Sequence, residues 1–159
     1  MKKEEKIAAL LKGRGLSLSV AESCTGGRIS HLITTISGSS EYYLGSVTSY
    51  AVKVKEDVLG VPPSVIKRHG VVSSEVAAAM AEGVSKLTGS TFAVATTGLA
   101  EGSDGTYPEG TVWIGATSPA GTRTMIYQCN KGRKANIRSF TTAALAFLVK
   151  TIENYIKSS

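Results

Sequence analysis

The chain has 159 residues, 42% hydrophobic and 19% charged, which suits one folded domain with its own core and excludes a disordered segment. Lys and Arg outnumber Asp and Glu by 18 to 12, and the +6 surplus favours anionic partners without choosing among them. No aromatic residues interleave with the basic clusters and no nucleic-acid motif is present, so a small anionic nucleotide rather than specific nucleic acid is expected. Cys24 and Cys129 stand far apart in no metal-ligand spacing, and no stretch is long enough to span a membrane, so a cytoplasmic chain with reduced thiols and no metal is expected.

Residues Lys3 to Lys12 place Ile7, Leu10 and Leu11 on one helical face, and Gly13 and Gly15 end that helix. With two glutamates and a short apolar run, this is an amphipathic helix rather than a signal peptide. Leu16 to Val20 alternates as a strand does. A helix from Arg28 to about Ile36 follows the glycines Gly26 and Gly27, with Ile29, Leu32, Ile33 and Ile36 inward. A second strand runs from about Tyr43 to Ala51, then a short helical piece and a turn at Pro62-Pro63. Ser73 or Ser74 caps a helix with Glu75 in its first turn and Val76, Met80, Val84 and Leu87 on its buried face.

A third strand, Phe92 to Thr96, leads into a polar, glycine-rich segment from Thr97 to Glu109. Strands at Thr111 to Thr117 and Arg123 to Cys129 are joined by the hairpin signal Ser118-Pro119-Ala120-Gly121. The last helix, about Ala135 to Ile156, presents Ile137, Phe140, Ala144, Leu148, Ile152 and Tyr155. Helices alternating with strands, plus one hairpin, predict a single α/β domain over residues 1–159, with three layers around a mixed sheet.

Chemistry concentrates in three segments. The run Ala21 to Gly27, A-E-S-C-T-G-G, puts the potential nucleophiles Ser23, Cys24 and Thr25 between a strand end and a helix start. Free amides there suit a developing oxyanion or a phosphate, and glycines admit a ligand to the backbone. Plain capping by Ser23 or Thr25 is the alternative. His31 lies within a helix and His69 near a turn, so neither is an evident base for a nucleophile. The remaining precedent is serine with lysine, which requires a lysine whose pKa has been lowered. Tyr50 and Lys55 flank the end of the second strand, with Lys53 nearby; spacing alone favours a solvated, charged helix start there. In the third segment, Ala95 to Trp113, Thr97 and Gly98 stand at a strand end and could donate hydrogen bonds; a flexible connection is the alternative.

Together these segments resemble the CinA C-terminal family, also called the nicotinamide-nucleotide amidase family. The likeness rests on A-E-S-C-T-G-G, then G-S-S at Gly38 to Ser40 and L-G-V at Leu59 to Val61. H-G-V-V-S at His69 to Ser73, M-A-E-G at Met80 to Gly83, T-G-L-A at Thr97 to Ala100 and G-T-V-W at Gly110 to Trp113 follow in order. The resemblance implies a three-layer α/β/α fold with a five-stranded mixed sheet, in a stand-alone form. It also implies hydrolysis of the carboxamide of nicotinamide mononucleotide, without metal or cofactor. By the matching motifs Ser23 is the nucleophile, Lys55 its base and Tyr50 a hydroxyl assisting the pair. Amides around Thr25, Gly26 and Gly27 are the expected oxyanion donors. Ser39, Ser40, Thr97 and Gly98 are the expected contacts to the nucleotide. Domains of this kind commonly associate, so a homo-oligomer is expected.

Val52-Lys53, Glu101-Gly102 and Pro108-Glu109 depart from the family's pattern, and its G-D-R motif survives approximately, as Gly132-Arg133-Lys134. The departures at Val52, Lys53 and Glu101 keep a second reading open, a nucleotide-binding or regulatory module on the same fold without turnover.

Overall fold

The computed structural model describes residues 1–159. Five strands form one mixed sheet: β1 (Leu18–Glu22), β2 (Tyr43–Thr48), β3 (Phe92–Leu99), β4 (Thr111–Ser118) and β5 (Gly121–Gln128), in the order β2-β1-β3-β4-β5. β1 runs parallel to both β2 and β3, whereas β3, β4 and β5 are mutually antiparallel neighbours. The helices are α1 (Lys3–Leu11), α2 (Arg28–Thr34), α3 (Val52–Asp57), α4 (Pro63–His69), α5 (Ser74–Thr88) and α6 (Arg133–Ser158).

Side-chain alternation along the central strands builds two cores. Leu18 and Val20 of β1, Phe92 and Val94 of β3, and Val112 and Ile114 of β4 point to one face. There they meet Ile7 and Leu11 of α1, Ile29 and Ile33 of α2, and Phe140, Ala144, Leu148 and Ile152 of α6. Ala21, Ala93 and Ala95 point to the other face, against Val76, Met80, Ala81 and Val84 of α5. The small side chains on that face let α5 lie close to the sheet. The result is the three-layer arrangement that alternating helices and strands predict.

Where boundaries differ from the sequence expectation, local chemistry explains the shift. β1 runs on to Glu22 because that segment is buried on both faces, between two parallel neighbours, and needs no polar alternation. β2 ends at Thr48 rather than Ala51, and α2 ends at Thr34 rather than Ile36. Pro62-Pro63 is not merely a turn: Pro63 opens α4, a position where its missing N–H costs nothing. β3 continues through Thr97 and Gly98, because β4 pairs with it as far as Leu99. Ser73 caps α5, its hydroxyl accepting from the Val76 amide at 3.2 Å. Leu87, expected on the buried face of α5, is instead 55% exposed.

The topology makes a crevice. From β1 the chain crosses by α2 to β2 on one side, then by α3, α4 and α5 to β3 on the other side. Strand order therefore reverses between β1 and β3, and ligands of open α/β sheets gather beyond the carboxyl ends at such a point. Because β4 and β5 run antiparallel, the end of β5 returns to the same edge, and α6 begins beside the crevice.

Candidate active site

Ser23 follows the last residue of β1, at the floor of a cleft of about 510 Å³. Cys24, Lys55, Thr97 and Gly98 also line it, and Tyr50, Glu101 and Arg133 stand at its rim. A groove of about 490 Å³ between Asp57–Gly60 and α5 contains none of the expected site residues.

Lys55 reaches the cleft from the last turn of α3 and is fully buried. Its Nζ lies 2.9 Å from Ser23 Oγ, 2.5 Å from the Ser49 carbonyl and 3.3 Å from the Tyr50 carbonyl. All its partners are neutral. Burial therefore lowers the Lys55 pKa from the ordinary lysine value, with Cys24 opposing weakly. An uncharged amine has two N–H groups and one lone pair. When Lys55 is uncharged, the two carbonyls can accept its two N–H groups, which leaves the lone pair for the Ser23 hydroxyl. That is the arrangement of a base and a nucleophile.

Cys24 is next to Ser23 in sequence but is a different chemical case. Burial pushes its thiol up to about 12, although its own backbone amide and, less, Lys55 and Arg133 oppose the shift. It is a packed thiol in the first core.

The turn after Ser23 is held by Glu22, whose role sequence reasoning missed. Its buried carboxylate accepts from Thr25 Oγ1 at 2.7 Å and from the amides of Gly27, Ile29 and Ser30 at 3.2, 3.0 and 2.9 Å. Ser30 Oγ donates to it at 2.6 Å. The Gly26 amide donates to the Ser23 carbonyl at 3.1 Å. The expectation that Gly26 and Gly27 supply oxyanion donors is thus corrected: both amides are already engaged. The amides of Cys24 and Thr25, in the same turn, donate to no main-chain carbonyl. The Thr25 hydroxyl is committed to Glu22 and to Thr96 Oγ1, the latter at 2.9 Å.

Tyr50 is placed beside the pair, but its hydroxyl does not reach it. The side chain is 65% exposed, and its hydroxyl accepts from Arg133 Nη2 at 3.2 Å. The main-chain carbonyl makes the contact with Lys55 instead. Arg133 also lies 3.4 Å from Glu101 Oε1, so the rim carries an ion pair between the start of α6 and the loop after β3. Thr97 is buried, its hydroxyl donating to the Val71 carbonyl at 2.8 Å. Gly98 is dictated by packing: a Cβ there would stand 2.6 Å from the Thr111 carbonyl oxygen of β4.

Ser39 and Ser40 are not brought to the cleft. They form a single 3-10 turn, Ser39–Glu41, immediately before β2. Because β2 runs parallel to β1, with Tyr43 opposite Leu18, that turn sits at the amino end of the sheet. Ser23 sits at the carboxyl end, roughly 15 Å away along the strands. A contact from these serines to a ligand on Ser23 of the same chain is therefore ruled out by register.

Two further residues escaped the sequence reading. Ser49, buried after β2, donates its amide to the Glu22 carbonyl at 2.7 Å and offers its own carbonyl to Lys55. Asn136, buried in the first turn of α6, donates from Nδ2 to the Ala100 carbonyl at 2.9 Å and accepts from the Lys131 amide at 2.9 Å. It fastens the end of β3 to α6. The only signal in the sequence for either is a polar residue in an otherwise apolar or helical setting. No cluster of histidine, cysteine and carboxylate side chains is arranged to hold a metal ion.

The sequence profile of the CinA C-terminal domain matches residues 1–152. A CinA-like protein of Salinibacter ruber is 44% identical over 144 residues, covering 89% of this chain and 35% of that protein. The chain thus spans about a third of the length of such relatives. Among solved structures, the competence damage-inducible protein A of Klebsiella pneumoniae superposes with a TM-score of 0.91 at 27% identity. That match covers 96% of this chain and 98% of the other. The competence/damage inducible protein of Agrobacterium tumefaciens gives 0.86 at 31% identity, over 93% and 92% of the two chains. By the match over residues 1–152 and by its fold, the chain belongs to the CinA C-terminal domain family.

Proposed function

We propose that the chain is an amidohydrolase that converts nicotinamide mononucleotide to nicotinic acid mononucleotide and ammonia, with Ser23 as nucleophile and Lys55 as base. The observation that carries this reading is a buried lysine with neutral partners only, 2.9 Å from a serine hydroxyl on a cleft floor. The choice of substrate rests on the family resemblance.

In the first step the Lys55 amine takes the Ser23 proton while Oγ attacks the carboxamide carbon. The amides of Cys24 and Thr25 are the donors available to the oxyanion that forms. The tetrahedral intermediate then collapses. Its C–N bond breaks, Lys55 returns the proton to the departing nitrogen, and ammonia leaves an ester on Ser23. Water, deprotonated by Lys55, attacks that ester; the acid is released and Ser23 regains its proton. No redox change occurs at any step. A cytoplasmic location accompanies this reading.

A second reading, nucleotide binding without turnover, draws on Glu101, whose carboxylate engages the rim cation Arg133 and would oppose a substrate phosphate. Ammonia release by the purified chain from nicotinamide mononucleotide, nicotinamide riboside and NAD, with Ser23→Ala as control, separates the two. Release from the mononucleotide, lost in Ser23→Ala, is the expected result. Binding without ammonia from any of the three would support the second reading.

A further inference from the structure

We infer that Glu22 is a positioning residue that sets the distance between nucleophile and base. The inference rests on the reading of Ser23 and Lys55 given above. Its basis is that one residue grips both arms of the pair. Through its side chain Glu22 gathers Thr25 Oγ1 and the amides of Gly27, Ile29 and Ser30, which fixes the turn carrying Ser23 onto the start of α2. Through its main-chain carbonyl it accepts both the amide and the hydroxyl of Ser49, at 2.7 and 3.2 Å. The carbonyl of Ser49 in turn takes an N–H of Lys55. The path from the Ser23 turn to the Lys55 amine therefore runs through a single buried residue.

Glu22 itself does not touch the cleft, so it does not act on substrate directly. Nor has it a cationic partner: amide dipoles and hydroxyls alone stabilise its carboxylate. This has a geometric consequence. A carboxylate can only accept, and every group around it donates, so the turn has one satisfied arrangement. The amides that a helix start would otherwise offer to an anion are consumed by the chain itself. The amides of Cys24 and Thr25, which donate to no main-chain carbonyl, lie in the turn that carries Ser23. Glu22 thus also decides which amides remain free.

The test uses Glu22→Gln. A primary amide keeps the size of the side chain but turns an N–H toward surrounding donors, which forces the turn to move. Two rates are read: labelling of Ser23 by a serine-directed fluorophosphonate, and turnover of nicotinamide mononucleotide. Thermal melting verifies the fold. The expected result is a fall of roughly tenfold to a hundredfold in both labelling rate and kcat with KM within about threefold, the size of effect that misplacing a reacting group produces. Glu22→Asp, which retains an all-acceptor group, recovers part of the loss.

A folded Glu22→Gln that labels and turns over at the wild-type rates overturns the inference, and so does one in which KM alone changes. If Glu22→Gln does not fold, Ser30→Ala removes one donor and leaves the carboxylate in place. A fall in labelling of a few-fold then supports the inference, and an unchanged rate overturns it. Labelling needs no substrate. A wild-type chain that labels but releases no ammonia would therefore end the substrate proposal while leaving this one open to its own test.

Discussion

Lys55 and Ser23 are 32 positions apart in sequence, yet their side chains meet at 2.9 Å where β1 ends and α3 turns inward. No carboxylate accompanies them. Burial therefore lowers the lysine's pKa with no counter-ion to fix it as an ammonium. That single difference gives the pair a signature in pH.

The rate rises with pH through the ionisation of Lys55. Its folded pKa lies below the ordinary lysine value of about 10.4. Below that folded pKa the base is protonated, and kcat/KM falls about tenfold per pH unit. Stability moves in the same direction. Between the lowered folded pKa and the ordinary unfolded one, the unfolded chain binds the extra proton, so stability increases as pH rises across that window. Lys55→Met is accordingly more stable than wild type below the window, and the gap narrows toward alkaline pH. Urea unfolding at several pH values measures this. A gap that widens with pH would contradict the burial of an uncharged amine.

Cys24 is expected to be inert despite its position beside Ser23. With its thiol pushed up to about 12, roughly one molecule in ten thousand carries a Cys24 thiolate at pH 8. Iodoacetamide at that pH should modify the half-buried Cys129 first and leave ammonia release intact. Rapid alkylation of Cys24 in the folded chain would contradict its packing.

Gly83 packs against the segment that follows Lys55. In a helix interior, glycine to alanine ordinarily gains up to about 1 kcal/mol. A Cβ at Gly83 of α5, however, would stand 2.0 Å from the Leu59 carbonyl oxygen. Leu59 lies four positions after Lys55, and the Val61 amide donates to the Lys55 carbonyl at 3.0 Å. Gly83→Ala is expected to cost about 1–3 kcal/mol through overpacking and to lower kcat by displacing Lys55. Denaturant unfolding and kinetics on the same sample decide it; a stabilised, fully active variant would contradict the close approach.

Asn136 ties the cleft's rim to α6. Asn136→Ala leaves the Ala100 carbonyl and the Lys131 amide without partners, at a cost of about 1–3 kcal/mol. Because Glu101 and Arg133 flank these points, KM should rise more than kcat falls. An unchanged KM in a destabilised variant would make Asn136 purely a brace.

The elements were legible in the sequence wherever apolar spacing was regular. Val76, Met80 and Val84 mark the inner face of α5, and Phe140, Ala144, Leu148 and Ile152 that of α6. Pro62-Pro63 misled because proline serves a turn and a first helical turn equally well. At the site, Ser23 and Lys55 stood out by residue type and motif. The roles of Glu22, Ser49 and Asn136 did not, since each depends on a main-chain group delivered by distant register. Ser49 Oγ reaches back 27 positions to Glu22, and Asn136 reaches 36 to Ala100. Ser39 and Ser40 were misplaced for a related reason: a motif gives order along the chain, whereas the parallel pairing of β1 with β2 decides which end of the sheet it occupies.

The central claim is that Ser23 and Lys55 act as one chemical unit. The most direct test measures ammonia release from nicotinamide mononucleotide at neutral pH for wild type, Ser23→Ala, Lys55→Met and the double variant. A unit of this kind loses about as much from either single change as from both, with Lys55→Met slower than wild type by roughly two to four orders of magnitude. A folded Lys55→Met that releases ammonia at the wild-type rate would contradict the account.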